Sequence, residues 1–377
     1  MKQFFLIGLV FLALMGCKLP SSTLIFSEPQ VFFVGNSITY VHDIPGKMHW
    51  LAQQKNAYSD GYFGYDQLTR GGATLKDYLT FQTNTNHVAS TILTKKPKYI
   101  VLQEQSAGPF IHGTRGISQY YESLASAVGS ELVFYQCWHG TEKSYRDMAN
   151  QRELAMVPIG EIWEELNSLD SPPILIQDVV HQNNLGAGVN ALAFYYFLFP
   201  DTTLKGNELS RLGFPDTAGK GYESVLYRHI REEKDTVLRG PKIHNMSSLD
   251  AVGNTCEDAY LIPPSPKSQE YSVNIEPWDV DVYRFEPLPP NHFYRITLDR
   301  TNSNGNFSRF FDGLSSYALF DEKGAALPSR ISADKCSIEF SSPQRDVFFA
   351  IIGDGVSISY YDDFTMNITQ VQSSSQS

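Results

Sequence analysis

Short, unbroken apolar runs alternate with helix-period stretches along the first two thirds of the chain. Val31-Phe-Phe-Val34, Tyr99-Ile-Val-Leu102, Leu132-Val-Phe-Tyr135 and Ile174-Leu-Ile176 are apolar at every position. Strands of that kind are buried on both faces, as inside a parallel sheet covered by helices. Helices are predicted over 44–54, 74–81, 117–127, 152–166 and 185–198. Strand and helix in alternation predict an α/β fold over 28–245, built of βαβ units around a doubly wound parallel sheet. Such a sheet carries its active site outside the carboxyl ends of its strands.

The pattern changes after about residue 258. Runs rich in aromatic and β-branched residues at 279–285, 293–298, 317–321, 337–341 and 347–352 are separated by Pro, Gly and Asn. They predict a small antiparallel β-sandwich over 267–371. A linker at 246–266, ending in Pro263-Pro264-Ser265-Pro266, precedes it, and a disordered tail at 372–377 follows.

Composition narrows the function classes. Of 377 residues 42% are hydrophobic and 19% charged, which is globular and excludes wholesale disorder. Thirty basic residues against forty-one acidic ones give a net charge of −11, which argues against a nucleic-acid binder. Four cysteines do not make a disulfide scaffold. The nine histidines include no His-x-x-x-His pair, and no catalytic metal is implied.

Residues 1–17 read as an address rather than as structure. Lys2 precedes an apolar run from Phe4 to Met15, twelve residues long, too short for a span of about 20 and suited to a signal-peptide core. Leu14-Met15-Gly16-Cys17 resembles the bacterial lipobox, which implies a diacylated Cys17 as the mature N-terminus and a stable membrane anchor. An ordinary secretory signal is the other reading. Lys18 is not an acidic retention signal and favours the outer membrane. An exported chain implies chemistry without ATP, NAD or other cytosolic cofactors.

Two blocks carry candidate chemistry. Gly35-Asn36-Ser37 follows the first buried strand, where a small turn exposes a hydroxyl and aims the Ser37 N–H at a substrate oxygen. Asp178-Val179-Val180-His181 follows the last predicted strand of the domain, with a spacing that lets carboxylate and imidazole meet. A serine after the first strand, with Asp and His after the last, resembles the SGNH (GDSL-like) hydrolase superfamily, here with Asn36 in place of the usual Asp. The resemblance implies a three-layer α/β/α sandwich and a Ser37–His181–Asp178 triad with no cofactor. It implies an oxyanion hole from the Ser37 N–H, a glycine N–H in Gly72-Ala73-Thr74 (Gly71 being the fallback) and a side-chain amide after the third strand. The usual Gly-x-Asn-Asp block is missing there. Gln103-Glu104-Gln105-Ser106 stands in its place, similar to the glutamine block of some esterase branches; Gln103 is the expected donor and Gln105 its competitor.

Other residues read more plainly. Cys137, near His139, suits a buried structural thiol better than a nucleophile. Tyr40, His42 and Asp43 fit a pocket lining or a solvated loop equally, and His112 and Trp138 are candidates for a substrate wall. Phe194-Tyr195-Tyr196-Phe197 reads as a buried helix face under the His181 loop. The C-terminal segment resembles the pre-peptidase C-terminal β-sandwich of secreted bacterial enzymes, through Cys256-Glu-Asp-Ala259, Asp279–Phe285, Tyr294–Leu298 and Tyr317–Asp321. It is expected to be accessory, with a Cys256–Cys336 disulfide. Asp279 and Asp281 read as a solvated strand end rather than as a Ca²⁺ site.

The expected function is an exported serine esterase for short acyl esters, in particular O-acetyl groups on carbohydrate. The alternatives are a lysophospholipase or lipase-type esterase, and a non-catalytic glycan-binding lipoprotein on a degenerate hydrolase fold.

Overall fold

The computed structural model of the chain describes residues 30–55, 63–78, 88–105, 114–138, 140–199, 206–215, 219–237, 256, 259–263, 269–275, 280–289, 292–300, 317–331, 337–343, 345–352 and 362–371. The expectations for 1–17, His112, His139, Asp279, Cys336 and the tail lie outside these residues.

Five strands form a wholly parallel sheet: β1 (Val31–Gly35), β2 (Tyr65–Thr69), β3 (Tyr99–Leu102), β4 (Glu131–Tyr135) and β5 (Ala155–Val157), in the order β2-β1-β3-β4-β5. The order reverses direction at β1, so the crevice between the carboxyl ends of β1 and β3 is the topological switch point. Strands β1, β3 and β4 are the predicted apolar runs. β2 is an edge strand of half-buried, partly polar residues and carries no apolar signal. β5 has only three residues, within a stretch predicted as helix. There Glu153, at φ 56, ends one helix (Glu142–Arg152), and another begins at Ile159 after β5.

The predicted strand 174–176 does not join the sheet. Leu175 alone is buried, while Ile174 is 76% and Ile176 46% exposed, and Ile176 makes one isolated bridge to Gln182. Three apolar residues in a row do not separate a core strand from a loop with one inward side chain. A 3₁₀ turn, Leu75–Tyr78, stands within the stretch predicted as helix at 74–81.

Helix Asn184–Leu198 is buried on every side from Gly186 to Phe197. Phe194 meets Phe33 and Tyr135 edge-on with ring centroids 5.4 and 4.9 Å apart, so the aromatic run packs against the sheet. Among the described residues no helix is long and apolar enough to cross a membrane.

The C-terminal strands form two further sheets. One contains β6 (Tyr260–Ile262), β8 (Val280–Phe285), β10 (Tyr317–Asp321) and β13 (Val347–Ile352). The other contains β7 (Gln269–Ile275), β9 (Phe293–Arg300), β11 (Ser329–Ile331), β12 (Ser337–Ser341) and β14 (Asp362–Val371). Tyr283, Phe285, Leu319 and Phe349 of the first share a core with Ile296, Leu298 and Ile338 of the second. β6 lies inside the stretch expected as linker and pairs in parallel with β8. The opposite face of the first sheet presents Val280, Val282, Ala318, Phe320, Phe348 and Ala350 to the α/β core, against helices Val88–Lys95 and Thr114–Val128. Burial on both faces explains why β10 and β13 read as continuous apolar runs. Asp281 is fully buried, with the Tyr283 hydroxyl donating to it at 3.3 Å, so it is not the solvated strand end expected. No metal-ligating cluster occurs among the described residues.

Candidate active site

The turn that carries Ser37 is built from the end of β1. Asn36 caps the one-turn helix Ser37–Tyr40, its Oδ1 accepting from the Ile38 N–H at 3.1 Å. Its Nδ2 donates to the Ala73 carbonyl at 3.0 Å, tying this turn to the Gly72 loop. An aspartate at position 36 has no hydrogen for that bond and sets an anionic oxygen against the carbonyl in a site 2% exposed. Asn36→Asp is expected to lower stability by about 1–3 kcal/mol, the range for a buried acceptor left without its donor. Denaturant unfolding of the two proteins side by side measures it.

His181 Nε2 lies 2.9 Å from Ser37 Oγ, and Asp178 Oδ2 lies 3.0 Å from His181 Nδ1. Asp178 Oδ1 accepts from the backbone N–H groups of His181 and Val180, each at 2.7 Å. Those donors, then the His181 ring, hold the carboxyl down at about 2. An ionised carboxylate accepts only, so Nδ1 carries the imidazole proton and Nε2 is left to accept from the Ser37 hydroxyl. The loop is closed below the triad by Gln177 N–H to His181 O (3.0 Å) and Asn183 N–H to Leu175 O (2.8 Å).

The Gly72 loop runs from Arg70 to Thr74. Ala73 N–H closes it onto Arg70 O at 3.1 Å, and Asp77 accepts from Thr74 N–H and Oγ1 at 2.7 and 2.9 Å. Gly72 has φ +69, a conformation that glycine adopts without strain. Neither the Ser37 N–H nor the Gly72 N–H donates to another described residue.

Gln103 is placed otherwise than expected. Its side chain is buried under the Ser37 turn, Oε1 accepting from Asn36 N–H (2.9 Å) and Thr39 Oγ1 (3.0 Å). Its amide nitrogen donates to the Glu104 carbonyl and faces Cys137 Sγ at 3.7 Å. The Asn36 N–H needs an acceptor, which fixes the amide orientation and turns both its hydrogens away from Ser37. Gln103 therefore braces the turn that carries Ser37, and its amide hydrogens do not face the Ser37 hydroxyl, contrary to the expectation for an oxyanion donor. For Gln105, the backbone N–H donates to Glu104 Oε1 at 2.6 Å.

Glu104 is buried between the blocks, also accepting from Leu75 N–H at 3.1 Å. Burial pushes its carboxyl up to about 7. An acid whose pKa is raised on folding stabilises the fold fully below its ordinary range and loses that contribution as pH rises through the raised value. Stability is therefore expected to fall between about pH 4.5 and 7, by about 3 kcal/mol from this group at most. Glu104→Gln keeps an oxygen for both N–H donors and is expected to flatten that slope. Thermal midpoints of both proteins at pH 5 and pH 8 check it.

Cys137 is fully buried, and burial pushes its thiol up to about 12, as befits a structural thiol. Tyr40 is 39% exposed and stands over Gly71, while His42 Nε2 pairs with Gln177 Oε1 at 2.8 Å beneath the triad loop. Asp43 Oδ1 accepts from Gly46 N–H, a local turn. Trp138 stacks on Trp163 with centroids 4.0 Å apart, and both line a cleft of about 690 Å³ with Ile176, Val179, Glu142 and Glu164. Sequence reasoning missed Asn36 as a bridge to the Gly72 loop, Tyr78, whose hydroxyl donates to the Gly35 carbonyl, and Gln182 beside the histidine. None stands in a motif that marks it.

No family model and no curated protein matches the sequence. Among solved structures, the chain is similar to a protein from Slackia heliotrinireducens assigned to the SGNH hydrolases, at 18% identity over 45% of this chain and 97% of that one, with a TM-score of 0.37. It is similar to TesA at 13% identity over 54% and 98%, with a TM-score of 0.30. A two-domain esterase active on acetylated mannans, crystallised with mannopentaose, is 11% identical over 91% of both chains, with a TM-score of 0.31. Likenesses this distant leave the chemistry to the site itself. The parallel β2-β1-β3-β4-β5 sheet is that of an α/β sandwich, with Ser37 just past the end of β1, beside the switch point, and His181 within hydrogen-bond distance of it.

Proposed function

We propose that the chain is a serine esterase acting on short acyl esters of carbohydrate. The observation that carries this reading is the unbroken line Ser37 Oγ, His181, Asp178, at 2.9 and 3.0 Å. Ser37 attacks the ester carbonyl while His181 Nε2 takes its proton; Asp178 holds the imidazolium that forms. The oxyanion is received by the N–H groups of Ser37 and Gly72. The alcohol leaves with the proton from His181. Water, deprotonated by His181, then releases the acid from the acyl-enzyme, so the cycle needs no cofactor.

The carbohydrate assignment draws on the expected export and on the cleft beside the triad loop. Its Trp138–Trp163 stack supplies an aromatic surface, while Glu142, Glu164 and Asn167 supply polar groups for hydroxyls. Ile176 and Val179, which flank Asp178, line the same cleft. We further propose that residues 1–17 direct export, that Cys17 carries the lipid anchor, and that the protein works at the outer membrane with its C-terminal β-domain as an accessory.

Assay of one preparation against acetylated polysaccharide, acetylated monosaccharides and lysophospholipid tests the substrate class. Acetate release from the sugars with no turnover of lysolipid is expected. The reverse preference would replace this reading with a lipase-type one, and no turnover of any ester beside an inert Ser37→Ala control would leave a binding protein.

A further inference from the structure

Gln182 directly follows His181 and is fully buried, yet its function is unexplained by the triad. Its Nε2 lies 3.1 Å from the Ile38 carbonyl and 2.6 Å from the Val41 carbonyl. Both carbonyls belong to the end of the Ser37–Tyr40 helix, whose single turn leaves them without intrahelical partners. Both amide hydrogens of Gln182 are thereby spent on the element that carries the nucleophile. Because both neighbours are acceptors, the amide cannot be turned over. Its Oε1 is buried with no partner, which costs free energy. A residue chosen for stability alone would not leave that oxygen unsatisfied.

We infer that Gln182 is a positioning residue that latches the Asp178–His181 loop onto the nucleophile helix and so sets the Ser37–His181 distance. The inference rests on the triad reading above. The backbone supports it: the bridge between Ile176 and Gln182 makes position 182 the base of the loop. From that base one side chain reaches the Ile38 and Val41 carbonyls, just C-terminal to Ser37, and His181, one residue earlier, inherits its placement. On the exposed side, His42 and Gln177 make a second tie between the same two segments. The buried latch is the one that solvent does not loosen.

Gln182→Met keeps the length and volume of the side chain and removes both donors. It is expected to lower kcat for p-nitrophenyl acetate by about 10–100-fold, in line with the effect of a small misplacement of reacting groups. KM should change by less than about twofold, since the substrate contacts stay. Fluorophosphonate labelling of Ser37 should slow in proportion to kcat. A purely structural role would lower the amount of folded protein and leave kcat per labelled site unchanged, and that result would overturn the inference. So would labelling of Gln182→Met at the wild-type rate. Failure of the wild-type protein to label at Ser37 would instead overturn the triad reading. If Gln182→Met does not fold, Gln182→Asn, which keeps the amide one methylene short, takes the same test with the same expected loss in kcat.

Discussion

Ser37→Ala is expected to remove about 10⁴–10⁶ of the kcat for ester hydrolysis, because on the proposed mechanism triad members act as one unit and losing the nucleophile loses the acyl-enzyme route. The loss should come without loss of fold. Ser37 Oγ bonds only the His181 ring among the described residues, and the helix cap comes from Asn36. Turnover of p-nitrophenyl acetate, read beside a far-ultraviolet melt, separates the two. The expected pair of results is a melt close to wild type and a rate close to buffer. A variant that keeps more than a few per cent of the wild-type rate would require another nucleophile. Buried Cys137, with its thiol pushed up to about 12, is unfit for that role.

Gly35→Ala carries the second largest expected effect, on both activity and stability. A methyl group at this position would lie 2.5 Å from Thr39 Oγ1, 2.7 Å from Gln103 Oε1 and 3.1 Å from Gln103 Cβ. Those atoms cannot simply step back. Thr39 and Gln103 are bonded to each other, and Gln103 also holds Asn36 N–H. Above them, the Gly35 carbonyl is held by Tyr78 Oη and by Arg70 N–H. The methyl group therefore pushes the nucleophile turn toward the rim. Overpacking of this kind costs about 1–3 kcal/mol of stability, and a displacement near 1 Å costs about 10²-fold in rate. Denaturant unfolding and kcat/KM on the same preparation measure the two. A folded Gly35→Ala protein with wild-type kcat/KM would show that the turn is not braced from below.

The parallel sheet was legible where burial on both faces leaves an unbroken apolar run, as in β1, β3 and β4. It was not legible at β2, whose edge position permits polar residues, or at β5, which is shorter than any periodicity window. Residues 174–176 failed in the other direction: an apolar run there is a surface loop that buries Leu175 alone. That Ser37, His181 and Asp178 come together was legible because their two blocks have fixed places in chain order. The surroundings of Ser37 were less legible, because a glutamine in a motif position does not reveal which way its amide faces. That direction is set by the Asn36 N–H and Thr39 hydroxyl, two contacts across more than sixty residues of chain. Of the C-terminal strands, β8, β9, β10, β12 and β13 were legible as runs of aromatic and β-branched residues, and β6, β7, β11 and β14 were not. Packing against helices of the α/β domain was not legible either, since apolar residues on both faces of β10 and β13 look the same whichever partner covers them.

The measurement that tests the central claim most directly is peptide mapping by mass spectrometry after brief exposure to a fluorophosphonate, for wild type and His181→Ala in parallel. The adduct is expected on the peptide containing Ser37 in the wild type, with labelling slower by at least about a hundredfold once the base is gone. Modification of a different residue, or equal labelling of Ser37 in both proteins, would contradict a hydroxyl activated by its neighbouring imidazole.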